Sequence, residues 1–308
     1  MYKKEDTILA SDVDFHRSLR ISSLFTKIQE ASVAHTTQLG FGRSATLDRG
    51  YLWVISRMRV VIHRLPVYDE DITILSWPTD MIHMIYPRCC RILSSATGEV
   101  LVESHALWAL IDEKSRRALM PSVTGVLIPG ILHEELSAYG IDPTDFVPAP
   151  GGCSHVRIPD IVNADVSAGS AARRTEIIDD AAFSSDEAES MPLPFIPEKS
   201  LTSLPYAGAH QKTFRFTDTD INGHVHNTHY LDAIEDLLPI SWYQTHRLSD
   251  ILICYEHEIL PETTETLLCR LEEQQSDCAL HVSGYSDPSF SSSDFTARLL
   301  YQPLADPS

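Results

Sequence analysis

Apolar and polar residues alternate along the first half of the chain in a pattern that predicts one helix followed by four strands. Residues Arg20–Gly40 place apolar side chains at helical spacing. The segment Tyr51–Arg64 is largely apolar on both of its alternating faces, which predicts a central strand covered on both sides. Three further strands are expected at Ile72–Trp77, Ile85–Leu93 and Val100–Ile111.

The second half repeats this order of elements. A strand is expected at Lys212–Phe216, a turn at Asp218–Asn227 and an apolar-faced helix at Thr228–Leu238. The strands predicted after this helix are Leu252–Ile259, Thr266–Glu273, Ala279–Tyr285 and Phe295–Tyr301. One helix followed by antiparallel strands, repeated twice, predicts an α+β protein in which each half is an antiparallel sheet wrapped around a central helix.

A weaker copy of the polar turn stands before the first helix. Asp12-Val13-Asp14 precedes that helix, and Phe15-His16-Arg17 takes the place of Ile221-Asn222-Gly223 in the second half. This likeness predicts a duplicated module, of which one copy retains the polar cluster. We expect a first domain at 1–150, a linker at 151–204 and a second domain at 205–308. The linker is rich in Ala, Ser, Asp and Glu, which is typical of a solvated, partly disordered segment.

The charge of the chain limits its partners. The net charge is −19, and it lies mostly in the second half. Residues 1–150 contain 15 Lys and Arg against 18 Asp and Glu, whereas residues 151–308 contain 9 against 25. Nucleic-acid binding is therefore not expected, because phosphate recognition needs a basic surface. The apolar runs are short, so no membrane span is expected, and residues 1–15 lack a signal core, which favours the cytoplasm.

The cysteines show no recognisable framework. Their spacing matches neither a disulfide pattern nor a C-x-x-C metal knuckle, so free thiols are expected. The six are Cys89, Cys90, Cys153, Cys254, Cys269 and Cys278.

The turn before the second helix concentrates the residues that could perform chemistry. Asp218, Asp220, Asn222, His224 and Asn227 fall within ten positions. A carboxylate or an imidazole can activate water, an amide can hold it, and N–H groups at a helix start can stabilise an oxyanion. The combination predicts acyl transfer to water.

Residues Asp218–Tyr230, reading DTDINGHVHNTHY, resemble the signature of hotdog-fold thioesterases. Residues Leu19–Gly42 and Tyr51–Asp80 resemble the first helix and following hairpin of acyl-acyl carrier protein thioesterases, which contain two tandem hotdog domains. The resemblance covers roughly residues 8–120 and 205–275. It implies hydrolysis of the thioester between a fatty acyl chain and the phosphopantetheine arm of acyl carrier protein, and no cofactor is expected. His224, His226 and His229 have a spacing that could suit a metal, but none is expected, because His226 alternates with His224 in direction and no Cys or close acid completes a tetrahedron.

The resemblance also implies a catalytic set in the second half. The turn residues that match the family are Asp220, Asn222 and His224, and the segment CYEHEIL places Glu258 at the matching acid position on the next strand. The residue that follows is Ile259, where the family often has cysteine, so a cysteine-nucleophile scheme has no thiol there.

Several roles remain open from the residues alone. Glu258 or Asp220 could deprotonate water, and a carboxylate enclosed by apolar walls is the better base. His224 could share this work or protonate the departing thiolate, and Asn222 could hold the water or the carbonyl oxygen. Direct attack by a carboxylate is a further possibility. The oxyanion is expected to bind the backbone N–H groups at the helix start, those of Val225, His226 and Asn227.

The sequence gives weaker evidence for where the acyl chain and the partner protein bind. An apolar slot is expected in the first hotdog, between the first helix and the strand Tyr51–Ile62, with walls from Phe25, Ile28, Met58 and Val60. Arginines of the first half could dock an acidic carrier protein; the candidates are Arg57, Arg59, Arg64, Arg88, Arg91, Arg116 and Arg117. An acyl-CoA thioesterase and a non-hydrolytic acyl-binding or dehydratase-like hotdog protein are the alternatives. Because the duplicated chain supplies a dimer-like unit, a monomer or a homodimer is expected.

Overall fold

A computed structural model describes residues 1–131, 133–137, 139–142, 150–153, 155, 207–274 and 277–304. The predicted linker at 151–204 lies outside the described residues except for 151–153 and 155. The helices are Ile21–Gln38 (α1), Arg43–Leu47 (α2), Pro121–Thr124 (α3), His133–Ser137 (α4), Asn227–Glu235 (α5) and Ile240–Tyr243 (α6).

The strands of the two halves correspond one to one. Those of the first half are Tyr2–Thr7 (β1), Tyr51–Ile62 (β2), Asp71–Pro78 (β3), Ile85–Ser94 (β4) and Val100–Asp112 (β5). Those of the second half are Ala207–Thr213 (β6), His246–Tyr255 (β7), Thr264–Gln274 (β8), Asp277–Tyr285 (β9) and Phe295–Pro303 (β10).

All ten strands form one antiparallel sheet in the order β1-β3-β4-β5-β2-β7-β10-β9-β8-β6. The order within one half is the reverse of the order within the other, so the two halves meet through β2 and β7. Arg57 pairs with Cys254 at this junction, and Val61 pairs with Asp250. The Arg59 guanidinium also donates to the Asp250 carboxylate at 2.7 Å. The repeated plan and the α+β class are confirmed, and the domain boundaries stay a prediction.

The two long helices cover one face of this sheet and contact each other. The buried stripe of α1 contains Leu24, Phe25 and Ile28, each at most 2% exposed, as the helical spacing predicted. Tyr230, Leu231 and Ile234 form the corresponding stripe of α5. Both stripes belong to one continuous core. Burying each large apolar side chain contributes about 1.5–3 kcal/mol, so this shared core holds the two halves together.

A bulge changes which residues of β2 face the core. Ile55 pairs with Trp108 and Arg57 pairs with Leu107, which leaves Ser56 as an extra residue. Simple alternation would place Val54 on the face of Met58, but the bulge places Ile55 there instead. The prediction that β2 is covered on both faces is wrong for its second half, where Arg57 is exposed.

Three other differences concern individual strands: β1 was not predicted, and β6 and β7 end at other residues than expected. Strand β1 was not predicted because the sequence YKKEDT is short and charged, and its pairing with β3 determines its structure. Strand β6 ends at Thr213, and β7 ends at Tyr255 where four more residues were predicted. The chain leaves the sheet after β7 because the N–H groups of Glu256 and His257 donate to the Asp294 carbonyl. No helix in the described part of the chain is long and apolar enough to cross a membrane.

Candidate active site

The turn that leads into α5 is organised by the carboxylate of Asp220. Its Oδ1 atom accepts hydrogen bonds from the N–H groups of Asn222 at 2.8 Å and His224 at 3.2 Å. Its Oδ2 atom accepts from the side-chain amide of Asn222 at 3.0 Å. Gly223 has a φ of +80°, a conformation in which glycine avoids the steric cost of a side chain. The turn therefore fixes the positions of the Asn222 and His224 side chains.

Glu258 lies in the loop after β7 and not on the strand where it was predicted. The loop is pinned to the turn because the Val225 N–H donates to the Ile259 carbonyl at 2.8 Å. As a result, the Glu258 carboxylate stands 3.5 Å from His224 Nε2. The Glu258 side chain is 40% exposed, so apolar walls do not enclose this carboxylate.

Two arginines of the first half reach this site. Arg116, in the turn after β5, donates from Nη2 to the Glu258 carboxylate, and the same nitrogen lies 3.0 Å from His224 Nε2. Arg43, at the start of α2, donates to the Asn222 side-chain oxygen at 2.8 Å. A guanidinium can only donate, so His224 Nε2 acts as the acceptor in this arrangement. The site is thus built from both halves of the chain.

The sequence alone did not reveal this role of the arginines. Arg116 had been considered only as a docking residue, and Arg43 had not been singled out. Neither arginine lies near the polar turn in the sequence. Arg116 is 108 positions from His224, and Arg43 is 179 positions from Asn222. The uneven distribution of charge was the one indication in the sequence that basic residues of the first half could meet acidic residues of the second. The first half has nearly balanced charge, whereas the second half is strongly acidic.

The start of α5 agrees only in part with the predicted oxyanion site. The N–H of Val225 donates to Ile259, and the N–H of His226 donates to the Asp218 carbonyl at 2.7 Å. These two groups are therefore not available to an oxyanion. Within the described part of the chain, the N–H of Asn227 has no acceptor, so it is the one group of the three that can serve.

The other two histidines of the turn support the helix start. His226 caps α5, since its ring nitrogen Nδ1 accepts from the Thr228 N–H at 3.4 Å. Burial lowers the pKa of His226. A hydrogen bond with Asp232 raises the pKa of His229. Among the residues that the structure describes, no three His, Cys, Asp or Glu side chains are grouped closely enough to hold a metal ion.

The predicted acyl-slot residues lie together in the core. Phe25, Ile28, Met58 and Val60 are each at most 2% exposed and belong to the cluster between α1 and the sheet. This is the packing of ordinary core residues, and a role in lining an acyl slot stays a prediction.

The comparisons with known proteins agree with this geometry. Residues 1–122 match the family model of the acyl-ACP thioesterase N-terminal domain, and residues 206–287 match that of the C-terminal domain. The chain belongs to the acyl-ACP thioesterase family. The polar turn before α5 and Glu258 both fall within the second match.

Individual members of the acyl-ACP thioesterase family are distant in sequence. The chloroplastic acyl-[acyl-carrier-protein] hydrolase FATB1 of Cuphea viscosissima is 24% identical over 82% of this chain and 50% of that protein. The chain thus spans about half the length of the curated relatives it matches.

Solved structures show the same fold. The acyl-ACP thioesterase from Bacteroides thetaiotaomicron has a TM-score of 0.65 at 18% identity, covering 97% of each chain. The 12:0-ACP thioesterase from Umbellularia californica also has a TM-score of 0.65 at 18% identity, covering 98% of this chain and 94% of that one. The double hotdog architecture expected from the sequence is confirmed.

Proposed function

We propose that this protein hydrolyses fatty acyl-acyl carrier protein to free fatty acid and carrier protein, and thereby ends fatty-acid elongation. The observation that supports this most directly is the cluster of Glu258, His224 and Arg116 beside the turn that holds Asn222. In this cluster Glu258 can act as the base, His224 can carry a proton, and the Asn222 amide lies close by. The family match supplies the substrate class.

Glu258 is the better candidate for the base that deprotonates water. Both oxygens of the Asp220 carboxylate already accept hydrogen bonds within the turn. Glu258, in contrast, is partly exposed and adjacent to His224. We therefore assign Asp220 to holding the turn and Glu258 to activating water, with Arg116 orienting the Glu258 carboxylate.

The remaining steps use the neighbouring groups. The activated water attacks the thioester carbonyl carbon, and Asn222 and the Asn227 N–H stabilise the oxyanion that forms. When the tetrahedral intermediate collapses, the C–S bond breaks and the thiolate needs a proton. His224 lies beside the base, so it can return the proton taken from water to the sulfur atom.

The carrier protein is proposed to approach from the side of the first half. An acidic carrier would be attracted to basic side chains near the site, and Lys114, Arg117 and Arg43 lie in or beside the elements that reach it. Two arginines considered for docking from the sequence are unsuitable. Arg88 is 5% exposed and Arg91 is 7% exposed, so both are buried.

The test is hydrolysis of matched substrates. Purified protein is given a pool of acyl-acyl carrier protein thioesters or the corresponding acyl-CoA thioesters, and the released acids are identified by mass spectrometry. We expect free fatty acids with a preference for the carrier protein substrates. The variants Glu258→Gln and His224→Ala should each reduce turnover at least about a hundredfold while remaining folded.

The alternatives predict other results. A marked preference for acyl-CoA would mean that acyl-CoA, and not the acyl carrier protein thioester, is the substrate. An enoyl product would indicate a dehydratase. Full activity in both variants would refute the site. The cytoplasmic location and the oligomeric state, monomer or homodimer, stay predictions.

A further inference from the structure

Two cysteines that are far apart in sequence meet on the face of the sheet opposite the helices. Cys153 and Cys254 are separated by 101 positions, yet their sulfur atoms lie 3.6 Å apart. Cys254 is on β7, where Ile251 and Ile253 face the core and Cys254 faces the opposite side. Its cross-strand neighbours are Arg57 of β2 and Thr296 of β10.

The chain around Cys153 is held against β7 by further contacts. The Cys153 sulfur lies 3.5 Å from the Leu252 carbonyl oxygen, and the Cys254 sulfur lies 3.7 Å from the Gly151 carbonyl oxygen. Cys254 is 4% exposed, whereas Cys153 is only partly buried. Cys153 is therefore the more accessible member of the pair, while Cys254 is kept in position by the pairing of β7 with β2 and β10.

The surroundings favour a thiolate at one member of the pair. A hydrogen bond from the Cys153 thiol lowers the pKa of Cys254, and the Thr296 hydroxyl and the Arg57 guanidinium act in the same direction. The shared proton raises the pKa of Cys153. Burial alone would raise both, as it raises the pKa of Cys269 to about 12. A thiolate next to a thiol is the arrangement needed for oxidation to a disulfide.

We propose that Cys153 and Cys254 form an oxidisable dithiol that reacts with a peroxide to give an intramolecular disulfide. One thiolate sulfur attacks a peroxide oxygen, the O–O bond breaks, and the leaving hydroxide takes up a proton to become water. The second thiol then attacks the resulting sulfenic acid, which forms the S–S bond and releases a second water. The two thiols together lose two electrons, and one peroxide is reduced to two waters.

The disulfide requires only a small movement. The sulfur atoms must approach from 3.6 Å to about 2.05 Å. Strand β7 is paired on both sides, with β2 and β10, so the segment at 150–153 is the part that moves. The new bond would tether this segment to the central strand of the sheet.

The tether would lie next to the loop that carries Glu258. His155 Nδ1 lies 3.2 Å from the Ser293 hydroxyl, which donates to the Glu256 carboxylate at 2.8 Å. Glu256 is two positions before Glu258, so oxidation would restrain a segment that contacts the catalytic loop through these residues. The proposal itself concerns the bond between the two cysteines and does not depend on thioesterase activity.

The experiment treats the full-length, fully reduced protein with hydrogen peroxide. We expect non-reducing peptide mass spectrometry to find Cys153 linked to Cys254, with an intact mass lower by two hydrogen atoms. Dithiothreitol should reverse both changes. Because the bond closes a long loop in the unfolded chain, Tm should rise by about 5 °C on oxidation.

Single variants separate this bond from other oxidation. Cys153→Ser and Cys254→Ser should each abolish the linkage and the rise in Tm. Cys278→Ser, which removes another partly exposed thiol, should retain both. If Cys254→Ser is unstable, Cys153→Ser alone decides the matter, because its side chain is not in the core. The proposal is overturned if no such linkage forms, if other cysteine pairs form in equal yield, or if Cys153→Ser retains the rise in Tm.

Discussion

The turns before α1 and α5 have the same backbone hydrogen bonds but different side chains. In the first, Asp14 Oδ1 accepts from the N–H groups of His16 at 2.8 Å and Ser18 at 3.0 Å, as Asp220 does in the second. Arg17 takes the place of Gly223, and its φ of 64° is also positive. Since the turn in the first half forms without His224, the Asp residue in each copy is a structural feature of the turn.

The facing loops correspond in the same way. In the first half the Leu19 N–H donates to the Pro66 carbonyl at 2.8 Å, as Val225 does to Ile259 in the second half. This correspondence places Leu65 where the second half has Glu258, and Ser18 where it has His224. The duplicated module therefore provides one scaffold, on which the second copy carries Asn222, His224 and Glu258 where the first has His16, Ser18 and Leu65.

The largest expected effect comes from making the second copy resemble the first. His224→Ser and Glu258→Leu should each reduce turnover at least about a hundredfold, because each removes a group that exchanges protons. Hydrolysis of acyl-acyl carrier protein by the purified variants is the measurement. Ser18→Ala, at the matching position of the first copy, is the control and should keep full activity. An equal loss in this control would mean that the two copies do not differ in function.

Arg116 belongs to the first half of the chain but contacts the site in the second half, so its removal tests what the first half contributes to turnover. Arg116→Ala should lower kcat about tenfold, since Glu258 and His224 keep their places but lose a shared donor. Steady-state kinetics on the same substrate measures this effect. Arg117→Ala removes the exposed neighbouring charge and serves as the matched control: as a proposed docking residue it can change KM, but kcat should stay the same. If both variants lose kcat equally, the contact with Glu258 is not the cause.

A buried acid also distinguishes the two copies. Glu265 on β8 pairs with Lys212, and the matching pair in the first half is Ile72 with Asp6. Glu265 is 0% exposed, and its carboxylate oxygens have no hydrogen-bond donor among the described residues. Burial, with a smaller effect of the Asp294 carboxylate, raises the pKa of Glu265 to about 8.

This pKa predicts how stability changes with pH. The folded protein binds the Glu265 proton more tightly than the unfolded chain, so its contribution to stability is full below about pH 4.5 and is lost as pH rises to about 8. Glu265→Gln cannot titrate, so between pH 5 and pH 8 the variant should gain about 3 kcal/mol of stability relative to the parent, since one pKa unit corresponds to about 1.4 kcal/mol. Urea unfolding at the two pH values measures this gain. The exposed Glu262→Gln is the control, and equal gains in both would contradict the prediction.

The smallest expected effect concerns the structural acid of the first copy. Asp14→Ala should lower the free energy of unfolding by about 0.5–1 kcal/mol, because two backbone N–H groups lose their acceptor. Turnover should not change. Asp220→Ala should lose similar stability and, in addition, activity, since Asp220 also holds the Asn222 side chain. Denaturant unfolding and turnover of both variants test this, and a loss of activity in Asp14→Ala would argue against separate roles for the two copies.

Much of the fold could be predicted because its signals are local. Helix α1 was expected at Arg20–Gly40 and spans Ile21–Gln38, and β2, β4 and β5 begin at the residues predicted. These elements have long, regular apolar patterns. The end of β7 was predicted too late. The strand stops at Tyr255 because the N–H groups of Glu256 and His257 donate to the Asp294 carbonyl, and an apolar pattern does not reveal such hydrogen bonds.

The sequence by itself determined the duplicated order of helix and strands and the polar turn with Asp220, Asn222 and His224, because spacing and turn chemistry act over a few residues. Glu258 was named only through the family resemblance. Tertiary structure alone decided that Arg116 and Arg43 enter the site, that Glu258 lies in a loop, and that Cys153 meets Cys254. The reason is physical: the contacts of Arg116, Arg43 and Cys153 join residues about 100 positions or more apart, and the loop at Glu258 depends on hydrogen bonds to Asp294, so all of them exist only once the sheet and the core have formed.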